Sequence, residues 1–213
     1  MRSTNSHFVT RARQVILALC ISISLSAQTT DRDLFDAYLR EDMTVWQSYV
    51  DSIYNLQSTT CNHTLAYEYG YCGYIVAEAK KSGDEALMAQ AKQYVRNFKN
   101  HIETDKDHLP VGHYEMYRSA VLVYELRLHE SIHPFKAMSL AKEATRLAPD
   151  DPVILSYYGT CLFYAPKPFG SKAEALNWFL QAEPLFQAPQ YQYSWIKEAN
   201  TMYINQCRDK LSR

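Results

Sequence analysis

Residues 129–133 read His129-Glu130-Ser131-Ile132-His133, which matches the pattern H-E-x-x-H. On a continuous helix, histidines four residues apart share one face and bind zinc, while the glutamate acts as general base toward a metal-bound water. That chemistry needs helical backbone through both histidines. Pro134 follows His133 directly, and a residue before proline is pushed out of the α region. The two imidazoles then lose their common face, and no G-x-x-H continuation follows. A zinc-dependent hydrolase using His129, Glu130 and His133 is therefore the alternative reading, and the match is taken as a coincidence inside a loop. Phosphate-binding glycine loops, G-x-S-x-G and dinucleotide fingerprints are absent from the sequence. The chain is read as a non-enzyme with no metal and no cofactor.

The elements that must carry these residues are helical. Glycine is rare, at 6 residues, and apolar residues recur at three- and four-residue steps in most segments. Gly83 closes one helix and Asp84 caps the next; "LPVGH" (109–113) breaks the pattern; Pro134 and Pro152 sit at first helical positions; Ser171-Lys172-Ala173-Glu174 forms a capping box. The spacing predicts one or two helices across 31–57, then pairs 63–81 with 84–104, 113–128 with 134–148, and 152–164 with 171–183. A final helix spans about 191–211. Pro184 should end or kink the helix before it near Glu183.

The N-terminus predicts an exported chain. Arg2, Arg11 and Arg13 precede the apolar run "VILALCISISL", and "LSAQ" offers cleavage after Ala27. The run is short of the roughly 20 residues that cross a bilayer, and no later run approaches that length, so no transmembrane segment is expected. Removing residues 1–27 takes away three arginines and no acid, which moves the formal net charge from −1 to −4. A mildly acidic chain without a basic stripe excludes nucleic acid as a partner. Export permits disulfides among Cys61, Cys72, Cys161 and Cys207, but four cysteines in this length are not a disulfide scaffold. Buried, unpaired thiols are the favoured reading.

Helix pairs every 40–50 residues suggest an α-solenoid. In "AMSLAKEATRLAPDDPVILSYYGTCLFY" (137–164), Ala137, Ala141 and Ala144 fall on one face, Pro149 follows, and Leu155, Tyr158, Gly159 and Leu162 form the next face. This stretch resembles the tetratricopeptide repeat. The same frame takes Tyr69, Cys72, Gly73 and Val76, then Met116, Ser119, Ala120 and Val123, with a small residue at the close-contact position each time. The chain, leader included, is similar to small exported bacterial proteins of that family. The resemblance implies an all-α fold: an α-solenoid of about three antiparallel helix pairs over 61–190, an N-terminal helical segment over 28–60 and a capping helix over 191–213. A plain helical bundle would share most of these boundaries.

The resemblance also implies a concave face lined by first-helix positions, which here are rich in tyrosine. Tyr67, Tyr71, Tyr74, Tyr114, Tyr117, Arg118, Tyr157 and Phe163 are the residues expected to bind a protein or peptide partner in the periplasm or outside the cell. Tyrosine offers contact area with a polar tip, and Arg118 suits a carboxylate. Tyr74, Val121 and Thr160 stand where chaperone-tail-binding repeats carry asparagine, so a chaperone C-terminus is not the implied ligand. The competing expectation is that the N-terminal helix, "LFDAYLREDMTVWQSYV" (34–50), fills the groove and the tyrosines are internal packing. The tip "YAPKPFGSK" (164–172) is a second candidate surface.

Overall fold

The computed structural model describes residues 31–56, 62–129 and 134–212, all of whose regular structure is helical. The leader (1–27), Cys61 and Glu130 to His133 lie outside the described residues. The elements are α1 (31–39), α2 (Met43–Leu56), α3 (Asn62–Ser82), α4 (Glu85–Asp105), α5 (His113–Arg127), α6 (Pro134–Leu147), α7 (Pro152–Tyr164), α8 (Lys172–Leu185) and α9 (Trp195–Leu211). Single 3₁₀ turns at Lys106–His108 and Pro189–Tyr191 precede α5 and α9. Among the described residues no helix is long and apolar enough to cross a membrane.

Local chemistry explains the boundaries. Asp84 accepts a hydrogen bond from the Leu87 N–H at 2.9 Å, Asp151 from the Val153 N–H at 2.9 Å, and Ser171 from the Glu174 N–H at 3.2 Å. Each satisfies a donor that has no partner within its helix. Gly83 ends α3 with φ +68° and open space around its Cα. Pro184 lies inside the last turn of α8, which runs on to Leu185. The proline thus stops the helix just beyond it, two residues later than expected.

Consecutive helices pack side by side, α3 on α4, α5 on α6 and α7 on α8, with α9 laid along α8. Small residues let them approach. Ala137, Ala141 and Ala144 are buried, the Ser119 hydroxyl donates to the Ala137 carbonyl at 2.7 Å, and Gly159 lies under the Phe179 ring. The Asn200 amide donates to the Phe179 carbonyl at 3.0 Å, which ties α9 to α8.

The two ends of the chain meet. The Trp46 Nε1–H donates to the Leu34 carbonyl at 2.8 Å and so holds α1 against α2. The Trp46 ring stands edge-on to Trp195, with centroids 5.5 Å apart. Phe35 meets Tyr193 at 6.1 Å and Tyr38 meets Trp195 at 5.9 Å. Both tryptophans rest on Gly70 of α3, where an added Cβ would lie 2.5 Å from Trp46 and 2.8 Å from Trp195. Neither ring can move aside without displacing the other. Gly70→Ala should therefore destabilise the fold by about 1–3 kcal/mol, as overpacked core sites do, and chemical denaturation followed by tryptophan fluorescence would show a lower midpoint at an unchanged slope.

Candidate functional site

A cleft of about 140 Å³ opens between α7 and α9. Both helices run antiparallel to α8 and hence parallel to each other. Val153, Ser156, Tyr157 and Thr160 line it from one face of α7, while Ile196, Ala199, Met202 and Tyr203 line it from α9. Trp195 stands at the start of α9, Tyr69 reaches in from α3, and Tyr38 from α1. Tyr69 is the hub. Its ring meets Tyr157 at 5.9 Å, Trp195 at 5.6 Å, Tyr124 at 6.2 Å and Tyr117 at 6.3 Å.

The lining carries no ionised side chain. Burial holds the phenols of Tyr69, Tyr157 and Tyr203 well above their ordinary range, and it pushes the Cys161 thiol, behind the α7 wall, up to about 12. These groups are neutral donors at physiological pH, neither bases nor nucleophiles. The Tyr157 hydroxyl donates to Ser119 Oγ at 2.8 Å, and the Thr160 hydroxyl to the Ser156 carbonyl at 3.0 Å. One donor remains: the Trp195 Nε1–H is buried without a partner among the described residues. Such a surface suits the stacking of flat groups and the donation of a hydrogen bond.

Of the eight residues singled out in the sequence, only Tyr157 lines this cleft. Tyr67 packs edge-on to Trp46 and Tyr49 and donates to Asp31 at 3.1 Å. Tyr71 lies against Tyr94 of α4 at 4.9 Å, and Tyr117 against Phe98 at 5.6 Å. All three are buried. Arg118 is already paired with Glu103 at 2.7 Å and with the Tyr114 hydroxyl at 2.7 Å. Tyr74 is exposed, and Phe163 sits under two lysines just beyond the cleft. Trp46 and Tyr49 of α2 pack on Tyr67, and Trp46 and Trp195 lie against Gly70 of α3. Tyr38, Tyr69, Trp195 and Tyr203 are not among the binding residues that the sequence pattern singles out. The signal available for α9 is the spacing of Trp195, Ala199, Met202 and Tyr203 along one face of the helix.

His129, the described residue of the H-E-x-x-H match, is not helical. α5 ends at Arg127, and His129 has φ +61° with its Nε2 accepting from the Lys80 ammonium at 2.8 Å. Glu130 and His133 fall outside the described residues. Among those described, no group of three or more His, Cys, Asp or Glu side chains could hold a metal ion. Cys72, Cys161 and Cys207 are unpaired.

No protein-family model and no curated protein matches the chain. Among solved structures it is similar to the HusA haemophore from Porphyromonas gingivalis, with a TM-score of 0.62 at 13% identity, over 86% of this chain and 93% of that one. At that identity the likeness concerns the fold.

Away from the cleft, α3 and α4 enclose a polar cluster. Both Glu68 carboxylate oxygens lie 3.0–3.1 Å from His101 Nδ1, and Asp105 Oδ2 is buried without a partner. Burial raises the Glu68 carboxyl, with His101 opposing it. The bond to Glu68 raises His101. Burial also raises Asp105, against His101 and His108. A buried acid with a raised pKa makes folding less favourable once it ionises, and a histidine with a raised pKa contributes stability that is lost as pH climbs through its folded value. All three effects share one sign: stability falls with rising pH. Thermal unfolding from pH 5.5 to 8 should show a declining midpoint. His101→Gln should abolish the decline above about pH 6.5, the ordinary histidine value, and leave the acidic part in place.

Proposed function

We propose that this chain is an exported, non-enzymatic helical carrier that holds a flat, largely apolar ligand of the tetrapyrrole class in the cleft between α7 and α9. The observation that carries this reading is the cleft itself: aromatic walls with no ionised group, and the buried Trp195 N–H without an acceptor among the described residues. The printed name of the similar solved structure, a haemophore, supports the ligand class. At about 140 Å³ the cleft is smaller than the roughly 300–1,000 Å³ of sites that engulf a drug-sized ligand. It therefore takes one edge of a flat molecule and leaves the other at the surface.

The scaffold in this reading is a tetratricopeptide-like solenoid of three pairs, α3/α4, α5/α6 and α7/α8, with α1 and α2 before it and α9 as its cap. Small residues at the crossings support this: Gly159 lies under Phe179 and Gly73 beside the Tyr124 hydroxyl. The leader over 1–27 supports a periplasmic or extracellular location. A second reading, a protein or peptide partner, is favoured by an open groove of about 450 Å³ around Val111 and Tyr114, where Val111 is 66% exposed.

Titration of the chain from Gln28 onward with haem, followed in the Soret band, should give saturable one-to-one binding. Thr160→Trp, which fills the cleft from its α7 wall without truncating the core, should weaken binding at least tenfold while the helical circular dichroism is unchanged. Absence of saturable binding, or binding indifferent to Thr160→Trp, overturns the proposal.

A further inference from the structure

Two lysines stand just beyond one end of the cleft, both over the Phe163 ring. Because α7 and α9 are parallel, their lining faces continue past Thr160 and Tyr203 to Phe163, Tyr164 and Lys210, and α8 starts at the same end with Lys172. The Lys172 Nζ lies 3.7 Å from the centroid of the Phe163 ring and the Lys210 Nζ 5.7 Å from it. That ring is 5.3 Å from Tyr203, the α9 wall of the cleft. The Tyr203 hydroxyl in turn donates to the Tyr164 hydroxyl at 3.3 Å, and Tyr164 is 67% exposed. An aromatic ledge thus leads from the cleft to two ammonium groups.

Neither lysine forms an ion pair among the described residues. Lys210 lies in the last turn of α9, where a cation complements the helix dipole, and this accounts for its presence. Lys172 is the first residue of α8, where the dipole favours an anion instead. Burial and the neighbouring Lys210 both disfavour its charged form. One aromatic ring attracts a cation by only about 0.5–2 kcal/mol. Two like charges are therefore gathered beside a positive helix end, and an anion is the group this arrangement lacks.

We infer that Lys172 and Lys210 form an anion subsite at the end of the cleft, which takes a carboxylate on the edge of the ligand whose flat body rests against Tyr203 and Tyr157. The inference builds on the carrier reading above and narrows its ligand to a planar aromatic acid. Arg-free recognition by two ammonium groups suits separate point contacts with one or two carboxylates better than a bidentate clamp.

The test compares metal-free deuteroporphyrin IX, which carries two propionates, with its dimethyl ester, using quenching of tryptophan fluorescence in the exported chain. The wild type should bind the acid about tenfold or more tighter than the ester, the scale of a charge-assisted hydrogen bond, and the preference should shrink with added salt. In Lys172→Gln/Lys210→Gln the acid should bind only as well as the ester, whose affinity is unchanged and so reports an intact cleft. Equal wild-type affinity for acid and ester overturns the subsite and leaves the cleft standing, as does an unaltered acid affinity in the double variant. Loss of ester binding in that variant assigns the lysines a structural role and also overturns it. Binding of neither porphyrin by the wild type overturns the carrier reading and the subsite together.

Discussion

Two tryptophans from opposite ends of the chain share one glycine, and the rest of the architecture is organised around that contact. Gly70 has no Cβ to hold off the Trp46 and Trp195 rings, so α2 and α9 close over the middle of α3. Edge-on ring pairs add about 0.5–1.5 kcal/mol each beyond their buried area. Here they run from Tyr49 through Tyr67 and Trp46 to Trp195. A helical stack that would otherwise present an open inner face is thereby filled by its own first and last elements.

The closure sorts the tyrosines. Those of α3 that face α2 and α4 become core, and their hydroxyls are tied to acids of the N-terminal segment, Tyr67 to Asp31 and Tyr94 of α4 to Asp51. Those that face α5, α7 and α9 gather round Tyr69. The cleft exists because α9 follows α8 closely but meets α7 less fully. Its walls are neutral because no acidic or basic side chain lines them. A surface of this kind offers flat aromatic faces and the Trp195 N–H donor.

Charge is kept to the margins of this aromatic interior. Glu68, His101 and Asp105 form a cluster at the α3/α4 interface, where removal from water raises both carboxyls, and the His101 imidazole restrains that rise, bonded to Glu68 and acting on Asp105 through its charge alone. Lys172 and Lys210 stand at the other margin, over Phe163. Between them the cleft lining is uncharged.

The sequence by itself determined the helices. Caps at Asp84, Asp151 and Ser171 and prolines at 134 and 152 act within a few residues of themselves, so their effect is local and legible, and the all-helical fold follows. Pro134 likewise makes the H-E-x-x-H match suspect from sequence alone; His133 itself lies outside the described residues. Which tyrosines would be buried was decided only by tertiary structure. A tyrosine has the same local signal whether it faces solvent or another ring, and the partners of Tyr67 and Tyr69 lie more than a hundred residues apart, in α2 and α9. The cleft residues Tyr38, Tyr69, Trp195 and Tyr203 come from three helices whose meeting has no short-range signature, and Gly70 becomes decisive only when two indoles arrive on it from opposite ends of the chain.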